Sequence, residues 1–297
     1  MRKPLRTIIV FTLAILLVIS GWNILHTKYQ VTPALDVWAL SVGQGESVFL
    51  HEASGQKILF DGGPNSDVLS ELSSIMPFWD HTLDLIIVSH NHADHLDGMI
   101  AVLDHYTVRE AWISGAIQDS DDYRTWRREL KEKNIPTKIM YAGQTEQFGT
   151  IQIQTIHPIN SEEGITPKDQ HEATIVTKIT YQKNSILLTG DLDENQETDI
   201  MTHCRAPTCS LQSDILQIPH HGSKTGLLPA FLSAVNPKVA FISVGQHNLY
   251  HHPAPTTTKK LDTAHIAFFR TDLDGQVHFV LFGDHISYEK VAGSTPR

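Results

Sequence analysis

Positive charge is in short supply. Lysine and arginine total 23 against 33 aspartates and glutamates, a formal net charge of −10 over 297 residues. That balance does not advertise a nucleic-acid or anionic-membrane surface and argues mildly against an extended duplex-binding groove, while leaving a small active-site cleft untouched. Cysteine is scarcer still, with only Cys204 and Cys209. Two thiols are too few for a cysteine-held metal site. The intervening RAPT lets a disulfide close if the loop turns, and in an oxidising compartment such a small staple is the expected use. Internal repeats and low-complexity runs are absent, which excludes a solenoid.

Long apolar runs are also lacking, except at the start. In MRKPLRTIIVFTLAILLVISGWNIL the cations Arg2, Lys3 and Arg6 precede an apolar stretch. Residues 1–25 read as a membrane anchor or signal segment, with 7–25 in the bilayer. Charge on that flank holds the N-terminus in the cytoplasm and predicts that the remainder is exported. Val18 and Ser20 would satisfy a cleavage rule and give a secreted protein, whereas the length favours an uncut anchor. Residues 26–35 follow as a linker and 36–297 as one domain of ordinary globular composition.

What the chain has in abundance is histidine, 18 in all. SHNHADHLDG, residues 89–98, follows the apolar LDLIIVS. A surface loop could hold such residues without function. Four donors within six residues, His90, His92, Asp94 and His95, point instead to metal ligands at the end of a buried strand. Imidazole and carboxylate suit zinc first, with manganese or iron also open. Strands are expected at 36–42, 46–52, 57–61, 83–89, 109–114, 150–157, 174–181, 185–191, 214–221, 238–244, 267–271 and 276–282. Helices are expected at 66–75, 96–106, 121–134, 194–203, 226–235 and 256–264. Their alternation predicts two β-sheets packed face to face with helices outside, an α/β layered sandwich.

Further donors stand where strands end. Asp191 follows a strand and a glycine in LLTGDLD and reads as a bridging carboxylate. IPHHGSKTG offers His220 and His221, one to ligate and the other, with Ser223, to face a substrate. His171, opening the strand that pairs with the one before Asp191, is a third ligand for the first ion. Asp61 in ILFDGG reads as the partner that orients a ligand.

HxHxDH with a later TGD and PHHGS resembles the metallo-β-lactamase superfamily. The ordered set VGQGESVFL, ILFDGG, VSHNHADHLDG, LLTGDLDENQE, LQIPHHGSKTG, VGQHNLYHHP and FFRTDLDGQV narrows the resemblance to the metallo-hydrolase domain of the ComEC/Rec2 competence proteins, over about residues 36 to 285. The resemblance implies a four-layer αββα sandwich with two divalent ions between the sheets. It implies His90, His92 and His171 on one ion, Asp94, His95 and His220 on the other, and Asp191 between them. His252 would stand at the cleft mouth on the substrate side, and Asn248 of the same motif would contact substrate. The chain departs from the family in having one apolar segment rather than a polytopic channel. It also has both histidines of the first motif, His171 where Asn is usual, and SVGQGES where DVGQGDA is usual, putting Ser41 and Glu46 in the places of two acids.

Such a pair of ions, roughly 3.5–4 Å apart, makes hydroxide from water near neutral pH. Asp94 would relay the proton, and His221 or His252 would stabilise charge growing on the substrate. The resulting expectation is an exported, anchored, binuclear metal-dependent phosphodiesterase or nuclease acting on DNA, with a separate DNA-uptake channel as a possible partner. The rivals are a cell-envelope phosphoesterase of the phosphorylcholine-esterase kind, another hydrolase of the fold (lactone, thioester, lactam), and an inert DNA-uptake binding module. Arg124, Arg127, Arg128, Lys131 and Lys133 would supply phosphate contacts if their helix rims the cleft.

Overall fold

The strand Leu85–Ile87 is buried on both faces, a condition met where a sheet is covered on each side. The computed structural model describes residues 34–297. The segment 1–25 and nearly all of the linker lie outside the described residues. Among those described, no helix is long and apolar enough to cross a membrane.

One sheet has eight strands in the order Ile286–Lys290, Val277–Leu281, Leu35–Ala39, Val48–Glu52, Lys57–Phe60, Leu85–Ile87, Ala111–Ile113 and Thr137–Ile139. The other has seven, ordered Ala267–Arg270, Val239–Ile242, Ile215–Gln217, Asn184–Leu188, Val176–Tyr181, Ile151–His157 and Thr145–Phe148. Alternation along each strand sorts its side chains between two cores. Val37, Leu50, Ile58 and Ile87 of the first sheet meet Ile153, Ile179, Ile186 and Phe241 of the second. Phe49, Leu59 and Ile86 point outward onto Leu72, Met99 and Trp126, carried by the helices Asp67–Ile75, Ala93–His105 and Asp121–Glu132. On the far side, Leu187, Leu216 and Ala240 pack beneath Ile200, Phe231 and Leu261 of three more helices. The result is the expected four-layer αββα sandwich.

Three strands of the two large sheets escape the sequence reading: Thr137–Ile139, Thr145–Phe148 and Ile286–Lys290. All three are edge strands. An edge has one free side and tolerates the polar residues that TKI, TEQF and ISYEK carry. Two elements near the site also differ. The helix expected from Leu96 starts at Ala93, so Asp94 and His95 lie in its first turn, where the helix dipole favours a carboxylate. His171 lies in a short 3₁₀ turn, Gln170–Ala173, ahead of a strand that begins at Val176. Asp169 starts that turn by accepting a hydrogen bond from the His171 backbone N–H at 3.0 Å.

Within each sheet the central strands run parallel, 57–60 with 85–87 and 184–188 with 215–217 and 239–242. Their C-terminal ends therefore emerge along one edge of the sandwich. Cys204 and Cys209 are disulfide-bonded in the loop after the helix Glu194–His203.

Candidate metal centre

The loops at that edge carry the polar motifs. Asp61 follows the strand Lys57–Phe60, and the histidine run follows Leu85–Ile87. Asp191 and the pair His220–His221 follow two strands of the opposite sheet. The helix bearing Asp94 and His95 is pressed against the turn after Asp61. Gly62 N–H donates to His95 O at 2.8 Å and Gly98 N–H to Gly63 O at 2.9 Å. A Cβ on Gly98 would stand 1.8 Å from Gly62 O, so only glycine fits.

His90, His92 and His171 bring one nitrogen each within 4.8 Å of the others, grouped as expected. The second group is Asp94, His95, Asp191 and His221. Here the expectation of His220 is corrected. His221 Nε2 lies 3.3 Å from Asp94 Oδ2 and 3.5 Å from Asp191 Oδ1, whereas His220 groups with His171 and Asp191. The reason is backbone conformation: consecutive left-handed residues, φ 49° at His220 and 52° at His221, direct adjacent rings to different sides. Such strain in non-glycine residues is uncommon and concentrates at functional sites. Asp191 faces both groups, with Oδ1 3.2 Å from His95 Nε2 and Oδ2 3.6 Å from His171 Nε2.

Outer partners hold the rings. Asp61 Oδ2 takes His95 Nδ1 at 2.7 Å, the orienting role expected for it, and also accepts the Ser89 hydroxyl at 2.6 Å. Asp193, which sequence reading missed although it shares the GDLD run, takes His220 Nδ1 at 3.1 Å.

The donor set suits divalent cations. Nε2 of His95 and His221 and Oδ1 of Asp191 are buried and make no well-aligned hydrogen bond among the described residues, though the two nitrogens crowd that oxygen at 3.2 and 3.5 Å, an arrangement that a shared cation would relieve. Burial opposes charge on Asp191, yet His221 and His95 hold its pKa well below the usual carboxylate range. Burial likewise opposes charge on His221, but Asp191 and Asp94 outweigh it and push its pKa up to about 9. His90 goes the other way, driven well down by burial and then by His95, which leaves a neutral imidazole fit to ligate.

The cleft above these groups is about 450 Å³, lined also by Gln44, Gln118, Tyr250 and His252. His252 stands at the mouth as expected, its ring 5.8 Å from that of His220. Burial, then the neighbouring His221 and His220, push its pKa down to about 4. Asn248 and Ser223, expected to meet substrate, are not among the residues lining this cleft. Asn248 holds its own loop, donating to Gly245 O and His252 O and accepting from His252 N–H. Ser223 is buried and bonded to Thr225. The basic helix does not rim this cleft. Arg127, Arg128 and Lys131 line a separate surface cavity, while Arg124 and Lys133 pair with acids. Gln44 and Tyr250 stand within the VGQGESVFL and VGQHNLYHHP runs but were not singled out there, and Gln118 carried no sequence signal beyond its place in a loop after a strand.

A layered αββα sandwich with two His/Asp donor groups at one edge defines a class. The chain belongs to the metallo-beta-lactamase superfamily, whose family profile matches residues 40–247, and that fold implies divalent metal ions here. Within the superfamily it is 25% identical over 264 residues to ComE operon protein 3 of Bacillus subtilis (strain 168), covering 82% of this chain and 33% of that protein. It is 28% identical over 279 residues to Recombination protein 2 of Haemophilus influenzae, covering 92% of this chain and 32% of that one. The chain thus spans about one third of the length of these relatives. Among solved structures, the metallo-beta-lactamase fold protein YhfI from Bacillus subtilis superposes with a TM-score of 0.52 at 14% identity, over 80% of this chain and 96% of that one. That likeness is one of fold.

Proposed function

We propose that this metal-dependent hydrolase is an exported, membrane-anchored phosphodiesterase that cleaves DNA. Asp191 carries the reading: its two oxygens face two separate donor groups, the arrangement two ions need to share one carboxylate. His90, His92 and His171, with His220 beside them, would hold one ion, and Asp94, His95 and His221 the other. Zinc matches this imidazole-rich set best. Two such ions supply Lewis acidity at a phosphoryl oxygen and an acidified water near neutral pH. The chain's own groups do the rest. Asp94, which lines the cleft, takes up the proton of an attacking water. His252, neutral at pH 7, offers a ring N–H to a substrate oxygen. Tyr250 and Gln118 flank the entrance. Kinship with recombination and competence proteins supports DNA, and the basic flank of residues 1–25 supports export.

A second reading rests on the cleft lining, which among the described residues holds no lysine or arginine. DNA grips ordinarily use such groups for phosphates, so a small cell-envelope phosphoester is the rival substrate. Residues 30–297, loaded with zinc or manganese, decide between them on single-stranded DNA, duplex DNA and bis-p-nitrophenyl phosphate. An Asp94→Ala/His95→Ala double variant serves as control. DNA cleavage lost in the control is the expected result. Turnover of the small diester with DNA untouched selects the rival.

A further inference from the structure

Glu46 is a buried acid beside the site to which the chemistry above gives no task. It lies in the SVGQGES turn between the strands Leu35–Ala39 and Val48–Glu52, is wholly inaccessible, and its Oε1 has no hydrogen-bond partner among the described residues. A buried carboxyl is costly, so what the other oxygen does is informative. Oε2 accepts from Gln217 Nε2, across the interface between the two sheets. Gln217 Oε1 in turn accepts the backbone N–H groups of Thr189 at 2.7 Å and Gly190 at 3.2 Å, the two residues before Asp191. Thr189 Oγ1 completes the grip by donating to Gln217 O at 3.0 Å.

The other end of Glu46 is held as firmly. Its backbone N–H donates to Asp94 O at 3.1 Å, and a Cβ on the preceding Gly45 would stand 2.3 Å from that same oxygen, so the turn lies directly on the helix start. One residue therefore joins the Asp94–His95 side of the site to the Asp191 side. We propose that Glu46 is a positioning residue that sets the separation between these halves through Gln217. This rests on the metal-centre reading and adds a specific part to it. It also gives the glutamate in SVGQGES a purpose, because an aspartate there is one methylene shorter and falls short of Gln217.

The test uses the full chain with Glu46→Asp, Glu46→Gln and Glu46→Ala. Glutamine keeps the length and an acceptor oxygen, whereas aspartate keeps the carboxyl and loses the reach. Zinc stoichiometry and affinity against a competing chelator are measured alongside amide hydrogen exchange at Thr189 and Gly190 in metal-free protein. The aspartate and alanine variants are expected to bind one ion normally and the other roughly 10–100-fold more weakly, as for other outer-shell partners. Their Thr189 and Gly190 amides exchange faster, and the glutamine variant stays near wild type in both readouts. Unchanged exchange and zinc binding in the aspartate and alanine variants overturns the proposal, as does a glutamine variant as impaired as alanine. If the wild-type chain binds fewer than two ions the metal reading fails, and the exchange of those two amides alone decides the role of Glu46.

Discussion

His220 and His221 are adjacent in the chain, yet their Nε2 atoms address opposite oxygens of one carboxylate, His220 3.7 Å from Asp191 Oδ2 and His221 3.5 Å from Oδ1. The two rings therefore belong to different halves of the site. His221→Ala should remove the ion of the Asp94 group and leave the other in place. It should cost more activity than the roughly 100-fold upper range of an outer-shell partner. His220→Ala should keep the Asp94-group ion. Metal per chain, by elemental analysis of each variant, checks this.

The elevated pKa of His221 makes a pH prediction. Its folded value of about 9 lies above an ordinary histidine value of roughly 6.5, so the folded state binds this proton more tightly than the unfolded state. The stabilisation is complete below about 6.5 and is lost as pH rises through about 9. Metal-free protein should thus melt at progressively lower temperature across that window, and His221→Gln should flatten the trend. Zinc must displace the same proton, so its affinity should rise with pH over the same range, by up to about tenfold per unit per proton released. Thermal melts in chelator and zinc titrations at two pH values test both halves.

Gly98→Ala should destabilise the fold by about 1–3 kcal/mol, the usual cost of overpacking. The added carbon would fall 1.8 Å from Gly62 O, and backbone on both sides has little freedom to move. Because His95 is on the same helix, metal affinity should fall too. Denaturant unfolding with and without zinc separates the two effects.

Tyr250 is 68% exposed at the cleft mouth, so Tyr250→Ala should change stability by less than about 0.5 kcal/mol. Its effect should appear as a raised KM with kcat nearly unchanged, the mark of binding that is equal in ground and transition states.

Arg127→Glu and Lys131→Glu should leave turnover of a small diester unaltered, since both residues line a cavity apart from the metal cleft. Steady-state kinetics on bis-p-nitrophenyl phosphate checks it.

Much of the site was legible because its donors are local. Four candidate donors fall within six positions after a buried strand, and a parallel strand delivers whatever follows it to one edge of a sheet. Asp191 and the histidine pair could be picked out by the same rule, each standing just past an apolar run. Layer order was legible for a related reason: periods of two and of three to four recur in turn along the chain, and burying both kinds of face requires sheets inside helices.

Only the tertiary structure decided the rest. Which histidine of an adjacent pair joins which group depends on backbone dihedrals, and residue type does not encode an unusual left-handed pair. Asn248 and Ser223 are polar residues in motif loops, and only their realised hydrogen bonds reveal that they hold those loops. The basic helix is basic in any context, but its distance from the cleft is a property of packing. Glu46 and Gln217 stand 171 residues apart, and nothing local in either stretch announces the contact. Local chemistry and periodicity are written residue by residue, while the pairing of distant side chains arises when two sheets close on one another.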